Sequence, residues 1–507
     1  MSHFILLGKY LIKMTNHSID KNEKTIDSLY DDCLIYIFEY LDVKDKLVLE
    51  MVSKRWNQVA KRSWSQVKTL DVHPDFLYPE SQIQEEHKIA NTKFLTSILD
   101  RCSKYLQKIS IRSCGLDTKN PKLQTNLRNC NQLTTLFIDN TYLTDEFLMP
   151  FFENLMNLRT LALKNLRLNG YCFISLKKNN NIKELSVENC EFESDIDIRT
   201  FIISLKNLNI LKLYTSDNNI ANAINLSEIE NLTDVSIIAH WGIPGVELLG
   251  FLFRQKKLSK LLLGNMFVGD TFMNKLPIEC LKSLNFQLRG RKPDRLLINS
   301  LNRFENLENL ILNLSEHDFN DNYLRIITES VSPNIKNIEI NFFEFTLMRK
   351  KSIVSFGRLV NLESFTLNKT VAHITSCDKD FIIQNLTQCQ NMKNLFLKNI
   401  NLTNKGFQSI SKFSNLINLQ ITASEDETRT YDISDEEMSE IIRKLVNLKE
   451  LVLYGFVNLT DKFIETASEI KFNRQDSHVL KISLKNTKIR PSTLKKGLKL
   501  ISLVVLE

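Results

Sequence analysis

The chain has 507 residues, 43% hydrophobic and 25% charged, enough for a large core but beyond the size at which one compact core keeps growing, so several domains or a repeat array are expected. Its formal charge of +7 is concentrated at one end: residues 471 to 507 hold nine Lys and Arg against Asp476 and Glu507. The balanced remainder argues against a DNA-binding body, which needs a broad basic surface.

In chain order, MSHFILLGKYLIKM is an apolar run cut by Gly8 and Lys9 without a small-residue cleavage site, which argues against a signal peptide. Residues 1–24 are read as a flexible N-terminal segment. No run of about 20 apolar residues follows, so no membrane-spanning helix and no membrane partner are expected. The nine cysteines are odd in number, scattered and never spaced C-x-x-C, which indicates neither a disulfide framework nor a zinc site and fits a reducing compartment, cytoplasmic and/or nuclear.

Residues 25–66 form a separate segment, reading IDSLYDDCLIYIFEYLDVKDKLVLEMVSKRWNQVAKRSWSQ from Ile26. Ser28-Leu-Tyr-Asp31 is a capping-box pattern, which predicts a helix starting there with Leu34, Ile37, Phe38 and Leu41 on one side. A second helix is predicted from near Asp45, with Val48, Val52, Trp56 and Val59 in one stripe. Trp56 is either the edge of a small core or an anchor for another protein. About 40 residues of helix bury too little surface to be stable alone and need a partner.

This segment resembles an F-box, whose pattern is roughly L-P-x-E-hydrophobic-hydrophobic, I-hydrophobic-x-x-L, then V-S/C-K/R-x-W. Leu29, Leu34, Ile35, Ile37, Phe38, Leu41, Asp45, Leu47, Val52, Ser53, Lys54, Arg55 and Trp56 fall in frame, whereas Tyr30 and Asp32 replace the usual proline and glutamate. The resemblance implies docking on a Skp-type adaptor and through it a cullin, with Leu29, Leu34, Ile37, Phe38, Leu41, Val52 and Trp56 as the adaptor-binding candidates.

Residues 67–105 are read as a linker, with Val67 to Val72 a possible degenerate first repeat and the stretch from Pro74 a loop. From Leu106 to the end runs the frame L-x-x-L-x-L-x-x-N/C, starting at residues 106, 133, 158, 182, 208, 232, 258, 281, 307, 335, 362, 392, 416, 448 and 479. That makes about fifteen repeats. Positions four and six alternate with polar ones, the signature of a strand buried on one face. Stretches such as DEFLMPFFENL have helical spacing and cover the strand layer. The expected fold is an α/β leucine-rich-repeat solenoid, a curved horseshoe, preceded by the small all-helical segment.

The repeats resemble the cysteine-containing leucine-rich-repeat subclass. Cys102, Cys130 and Cys389 match one of its cysteine sites, Cys114 and Cys190 the other, and Leu143-Thr-Asp145 and Leu459-Thr-Asp461 its L-T-D loop. The five cysteines are read as small buried core residues.

Positions three, five and seven of each turn point into the concavity and vary freely. Among them the aromatics Phe137, Tyr214, Phe396 and Tyr454 are the candidates for binding a protein substrate. Charges of both signs give no single-sign groove, so no nucleic-acid partner is expected. From Asn285 to Gln420 the face is amide-rich and nearly uncharged, which either suits a neutral peptide or reflects the Asn-rich composition of the chain. Residues 424–437 hold seven acids, read as a solvated loop. The basic C-terminus either binds an acidic segment or, the favoured reading, shields the last strand from edge pairing.

Catalytic signatures are lacking: no Gly-rich phosphate loop, no H-E-x-x-H and no G-x-S-x-G occurs. No enzyme activity and no cofactor are expected. The resemblances together imply the substrate-recognition subunit of a Skp-cullin-F-box ubiquitin ligase. The alternative is an interaction scaffold with a degenerate F-box that recruits no ligase, motivated by Tyr30 and Asp32.

Overall fold

The computed structural model describes residues 26–73, 85–192, 195–215, 229–239, 245–266, 276, 279–288, 300–346, 356–369, 380–400, 402–423, 431–473, 479–489 and 501–506. The N-terminal segment 1–24 and the first half of the acidic insertion lie outside them. The chain divides into two compact units, Met1–Glu230 and Asn231–Glu507.

The first unit opens with α1 (Asp31–Glu39), α2 (Val43–Leu49) and α3 (Lys54–Ser63). Two details differ from the sequence reading. The helix expected at Ser28 begins at Asp31, because Ile26–Ser28 forms a separate 3-10 turn and extended Tyr30 takes the N-cap position. The helix expected from Asp45 is two helices. Asp42 caps α2 by accepting the Asp45 N–H at 2.8 Å, and Ser53 caps α3 by accepting that of Trp56 at 3.1 Å. Two such caps close together satisfy N–H groups of two separate helix starts.

Beyond the helices, strands Thr69–Val72, Lys108–Arg112, Thr135–Asp139, Thr160–Lys164, Glu184–Glu188 and Ile210–Thr215 pair in parallel in chain order. Parallel neighbours require a crossover, supplied between the first four by α4 (Glu85–Cys102), α5 (Pro121–Arg128) and α6 (Asp145–Phe152). The second unit repeats the scheme over eleven parallel strands, from Asp234–Ala239 to Ile501–Leu506. Each unit is a leucine-rich-repeat α/β solenoid, with the small all-helical segment at the start of the first.

Within the frame, strands start at position three, or at position two in the turn of Val479. Positions one, four and six supply the core: Leu133, Leu136 and Ile138 in one turn are fully buried. Position eight turns the corner in the left-handed region at Ser113, Asn140, Asn165, Asn189, Asn399 and Asn486, with φ from 46° to 56°, and at Gly455 with φ 85°. Asparagine is among the few non-glycine residues that tolerate this conformation. The corner N–H then donates to the next strand, Asn165 to Glu188 O at 2.9 Å and Gly455 to Lys485 O at 2.9 Å.

Successive turns are joined by two further devices. An aspartate at the start of a helix, buried at Asp145 and Asp380 and half-buried at Asp435, accepts backbone N–H groups from the following turn. Asp145 takes those of Asn169 (2.6 Å), Gly170 (2.9 Å) and Cys172 (2.9 Å), while Asp380 takes Thr403 (2.9 Å) and Asp435 takes Thr460 (2.8 Å). Gly406 leaves room for the second of these, since a Cβ there would lie 2.2 Å from Asp380 Oδ1.

The other device is an asparagine immediately before position one. Asn157, Asn181, Asn207, Asn306, Asn334, Asn361, Asn391, Asn415 and Asn447 each donate their side-chain N–H to a backbone carbonyl of the preceding turn at 2.7–3.2 Å, as in Asn181 to Met156 O at 2.8 Å and Asn415 to Gln390 O at 2.9 Å. The asparagine richness of the chain therefore has a structural use at these positions.

In chain order the last strand of the second unit is Ile501–Leu506, which contains no lysine, while Lys481 and Lys485 lie on the strand paired with it. Lysine shielding of the last strand is accordingly not what those two residues provide.

Candidate functional site

Leu34, Phe38, Leu49, Trp56, Val59 and Ala60 form the core shared by α1, α2 and α3, and Leu29, Ile35, Leu41 and Val52 pack at its margin. The Phe38 and Trp56 rings lie 5.2 Å apart. The indole N–H of Trp56 donates to Asp27, so its one polar atom is satisfied inside the cluster. Arg55 ties the turn before α1 to α3, donating to the Leu29 carbonyl at 2.5 Å, to Asp31 Oδ1 at 2.9 Å and to the Asp27 carbonyl.

A different set of side chains faces outward. Tyr30, Cys33, Ile37 and Tyr40 follow one another at helical spacing along α1, with Tyr36 beside them, and all five are exposed. Tyr36 and Tyr40 meet edge-to-face at 5.2 Å, the Tyr40 hydroxyl donating to that of Tyr36 at 2.8 Å. They leave this face of α1 rich in uncovered apolar surface, and Met51, in the turn before α3, is 73% exposed as well.

Residues 26–68 match the F-box domain. No curated protein sequence matches the chain. Similar solved structures include a TLR13–ssRNA13 complex, at 14% identity and a TM-score of 0.47, covering 80% of this chain and 60% of that one. The Toll–Spatzle complex of Drosophila matches at 13% identity and a TM-score of 0.38, with 87% and 60% covered. An internalin (InlF) from Listeria monocytogenes matches at 13% and 0.32, with 88% of each chain covered. The chain spans about 60% of the length of the first two.

Within the F-box, the candidates predicted for docking separate by depth. Leu34 and Phe38 are at most 1% exposed and have no surface left for a partner, and Trp56 retains 7%. Leu29, Leu41 and Val52 are half-buried, and Ile37 belongs to the outer face. Tyr30, Tyr36, Tyr40 and Met51 were outside the predicted set. For the three tyrosines the sequence does carry a signal, since with Ile37 they place four apolar residues along α1 and its two caps, away from the buried Leu34 and Phe38.

At Tyr30 the backbone has φ −63° and ψ 152°. These are the angles a proline requires, so the tyrosine preserves the path of the chain into α1. Asp32 is exposed and 3.6 Å from Arg62, a loose surface pair.

On the strand faces, Phe137, Tyr214, Phe396 and Tyr454 are all half-buried. In the first unit Phe137 is flanked in register by Ser110 and Ala162, three strands from Ile210–Thr215, which carries Tyr214. At about 4.8 Å per strand the two rings do not share one patch. In the second unit Phe396 sits beside Thr366 and Gln420, and Tyr454 beside Thr422 and Lys485, two strands further on. Charges on the strands of the first unit pair with one another across strands: Arg112 with Asp71 at 2.5 Å, Lys212 with Glu184 at 3.1 Å and Lys164 with Glu188 at 3.5 Å. The amides of the second unit likewise bond along rows, Asn368 to Asn341 at 2.9 Å and Asn418 to Asn394 at 2.6 Å.

Among the described residues no group of three or more His, Cys, Asp or Glu is placed to hold a metal ion, and no helix is long and apolar enough to cross a membrane. Cys102, Cys114, Cys130, Cys190 and Cys389 are buried thiols, as is Cys172, whereas Cys33 and Cys280 are exposed. Burial pushes the thiols of Cys102 and Cys389 up to about 12 and that of Cys190 to about 11. The thiolate is the reactive form. In native protein at pH 8, N-ethylmaleimide should therefore label Cys33 and Cys280 and spare Cys102, Cys190 and Cys389 until denaturant is added. Mass-mapped labelling checks this, and modification of the buried three without unfolding would contradict their place in the core.

Proposed function

We propose that the chain is the substrate-recognition subunit of a Skp-cullin-F-box E3 ubiquitin ligase. The match of residues 26–68 to the F-box domain carries this reading, and the uncovered apolar face of α1 supports it. The F-box docks the Skp adaptor, and through it a cullin, while the strand faces of the solenoid hold a protein substrate. The chain is then a non-catalytic member of the complex: ubiquitin transfer takes place elsewhere, and this subunit supplies proximity. The same reading places it in the cytoplasm and/or nucleus and its repeats in the cysteine-containing subclass. The F-box ends near residue 66, residues 67–105 hold the degenerate first repeat and the regular array runs from residue 106, and Phe137, Tyr214, Phe396 and Tyr454 are substrate contacts.

In this reading the docking candidates divide between two tasks. Ile37, with Tyr30, Tyr36, Tyr40 and Met51, contacts the adaptor directly; Leu29, Leu41 and Val52 border that contact; Leu34, Phe38 and Trp56 hold the helices from beneath. Replacing Ile37 and Tyr40 together by Glu is expected to weaken adaptor binding at least about 30-fold, the effect of losing a hot spot worth about 2 kcal/mol, with the melting temperature unchanged. Co-purification with the adaptor measures it, and full binding by the folded double variant would sink this assignment. The alternative, an interaction scaffold that recruits no ligase, rests on Tyr30 and Asp32. It predicts no cullin in a pull-down of the wild-type chain from cells.

A further inference from the structure

The F-box joins the solenoid through a short covalent link: the 3-10 turn Trp64–Gln66, then Val67 and Lys68, then the strand from Thr69. Lys68 is held at the sheet, its carbonyl accepting the N–H groups of Gln107 (2.7 Å) and Lys108 (3.0 Å). A single connection of this kind leaves rotation about the link free. On one side of it lies an open cleft of about 530 Å³ between Glu39, Leu41 and Asp42 of the F-box and Thr69 and Asp71 of the first strand, so there is room for such rotation.

A second, non-covalent attachment joins the F-box to α4. Glu50, at the C-terminal cap of α2, is 8% exposed. Its carboxylate accepts the Trp64 indole N–H at 2.8 Å and three contacts from Arg101 of α4, two from Nε at 2.7 and 2.9 Å and one from Nη2 at 2.6 Å. Arg101 is in turn fixed by its own helix, Nη1 donating to the Ser97 carbonyl at 2.5 Å, and its guanidinium lies 6.0 Å from the Trp64 ring centroid. The hydrogen bonds with Glu50 raise the Arg101 pKa further above its ordinary value, so the charge is permanent. A fork of this kind to a buried carboxylate is both strong and directional.

We propose that Glu50 and Arg101 are positioning residues that lock the F-box onto α4, so that the adaptor face and the inner strand face of the first unit are presented at one fixed angle. The functional side of this inference rests on the ligase reading; the lock itself does not. With the Glu50–Arg101 attachment added to the covalent one the link cannot act as a free hinge, and a substrate held by the first unit stays in one direction from the adaptor. Trp64, 1% exposed, serves both attachments, as the start of the covalent link and as a ligand of Glu50.

The test is a pulsed electron-electron distance measurement on the full chain, with Cys33, Cys280 and Cys377 replaced by Ser and spin labels at K61C in α3 and E153C in the solenoid, both exposed positions. The parent should give one narrow distance distribution, and Glu50→Gln and Arg101→Ala should lose it in favour of a broad one. The line shape of the K61C label reports separately whether α3 remains folded, and only variants passing that check are compared. A narrow, unshifted distance in both folded variants overturns the lock. Adaptor binding by the parent is scored in parallel: its absence would count against the ligase reading while leaving the distance result to stand or fall by itself.

Discussion

Trp56→Ala is expected to unfold the F-box locally and abolish adaptor binding while leaving the solenoid intact. The indole is 7% exposed, lies tilted against the Phe38 ring and donates to Asp27. Truncating a buried tryptophan costs about 3–5 kcal/mol. A helical module of this size has roughly 3–5 kcal/mol to lose. Residues 26–66 should therefore lose amide protection in hydrogen exchange, whereas strands such as Thr135–Asp139 should keep it. Loss of adaptor binding with full protection of the F-box would instead put Trp56 in the interface. Paired with the exposed Ile37 and Tyr40 substitutions, this separates contact from support, which a change at Trp56 alone does not.

Asp145→Ala should lower the stability of the first unit by about 3 kcal/mol or more. The carboxylate is 2% exposed and is the acceptor for three N–H groups of the following turn, at Asn169, Gly170 and Cys172. Each buried donor left without a partner costs about 1–3 kcal/mol. Asp145 also stands in the first turn of α6, where a negative charge is favoured. Asp145→Asn keeps an acceptor oxygen and should lose less. Denaturant midpoints of the two variants measure the difference, and a loss under about 1 kcal/mol for the alanine variant would mean that water replaces the carboxylate.

Much of this architecture is legible in the chain because both parts are periodic. The alternation around Leu136 and Ile138 permits only a strand buried on one face, and its return every turn permits only a stacked array. The F-box reads from thirteen positions in frame. Less legible is which apolar residues of α1 face inward. Ile37 and Phe38 are adjacent and equally hydrophobic, yet one is exposed and the other buried, and only packing against α3 decides between them. The Glu50–Arg101 pair spans 51 residues, and nothing in either local pattern links the two. The asparagines before position one lie outside the nine-residue frame and their bonds run between turns, so their use shows only where neighbouring turns stand side by side.

That last feature bears on how such a gene can change. Because Asn157 bonds to Asn131 O, and Asn181 to Met156 O at the equivalent place one turn later, removing residues 157–180 would bring Asn181 to the acceptor that Asn157 now uses. The gain or loss of one whole turn thus recreates its own junction. Array length can drift by unequal recombination with little mechanical penalty at that bond, altering the reach of the inner face by about 4.8 Å each time.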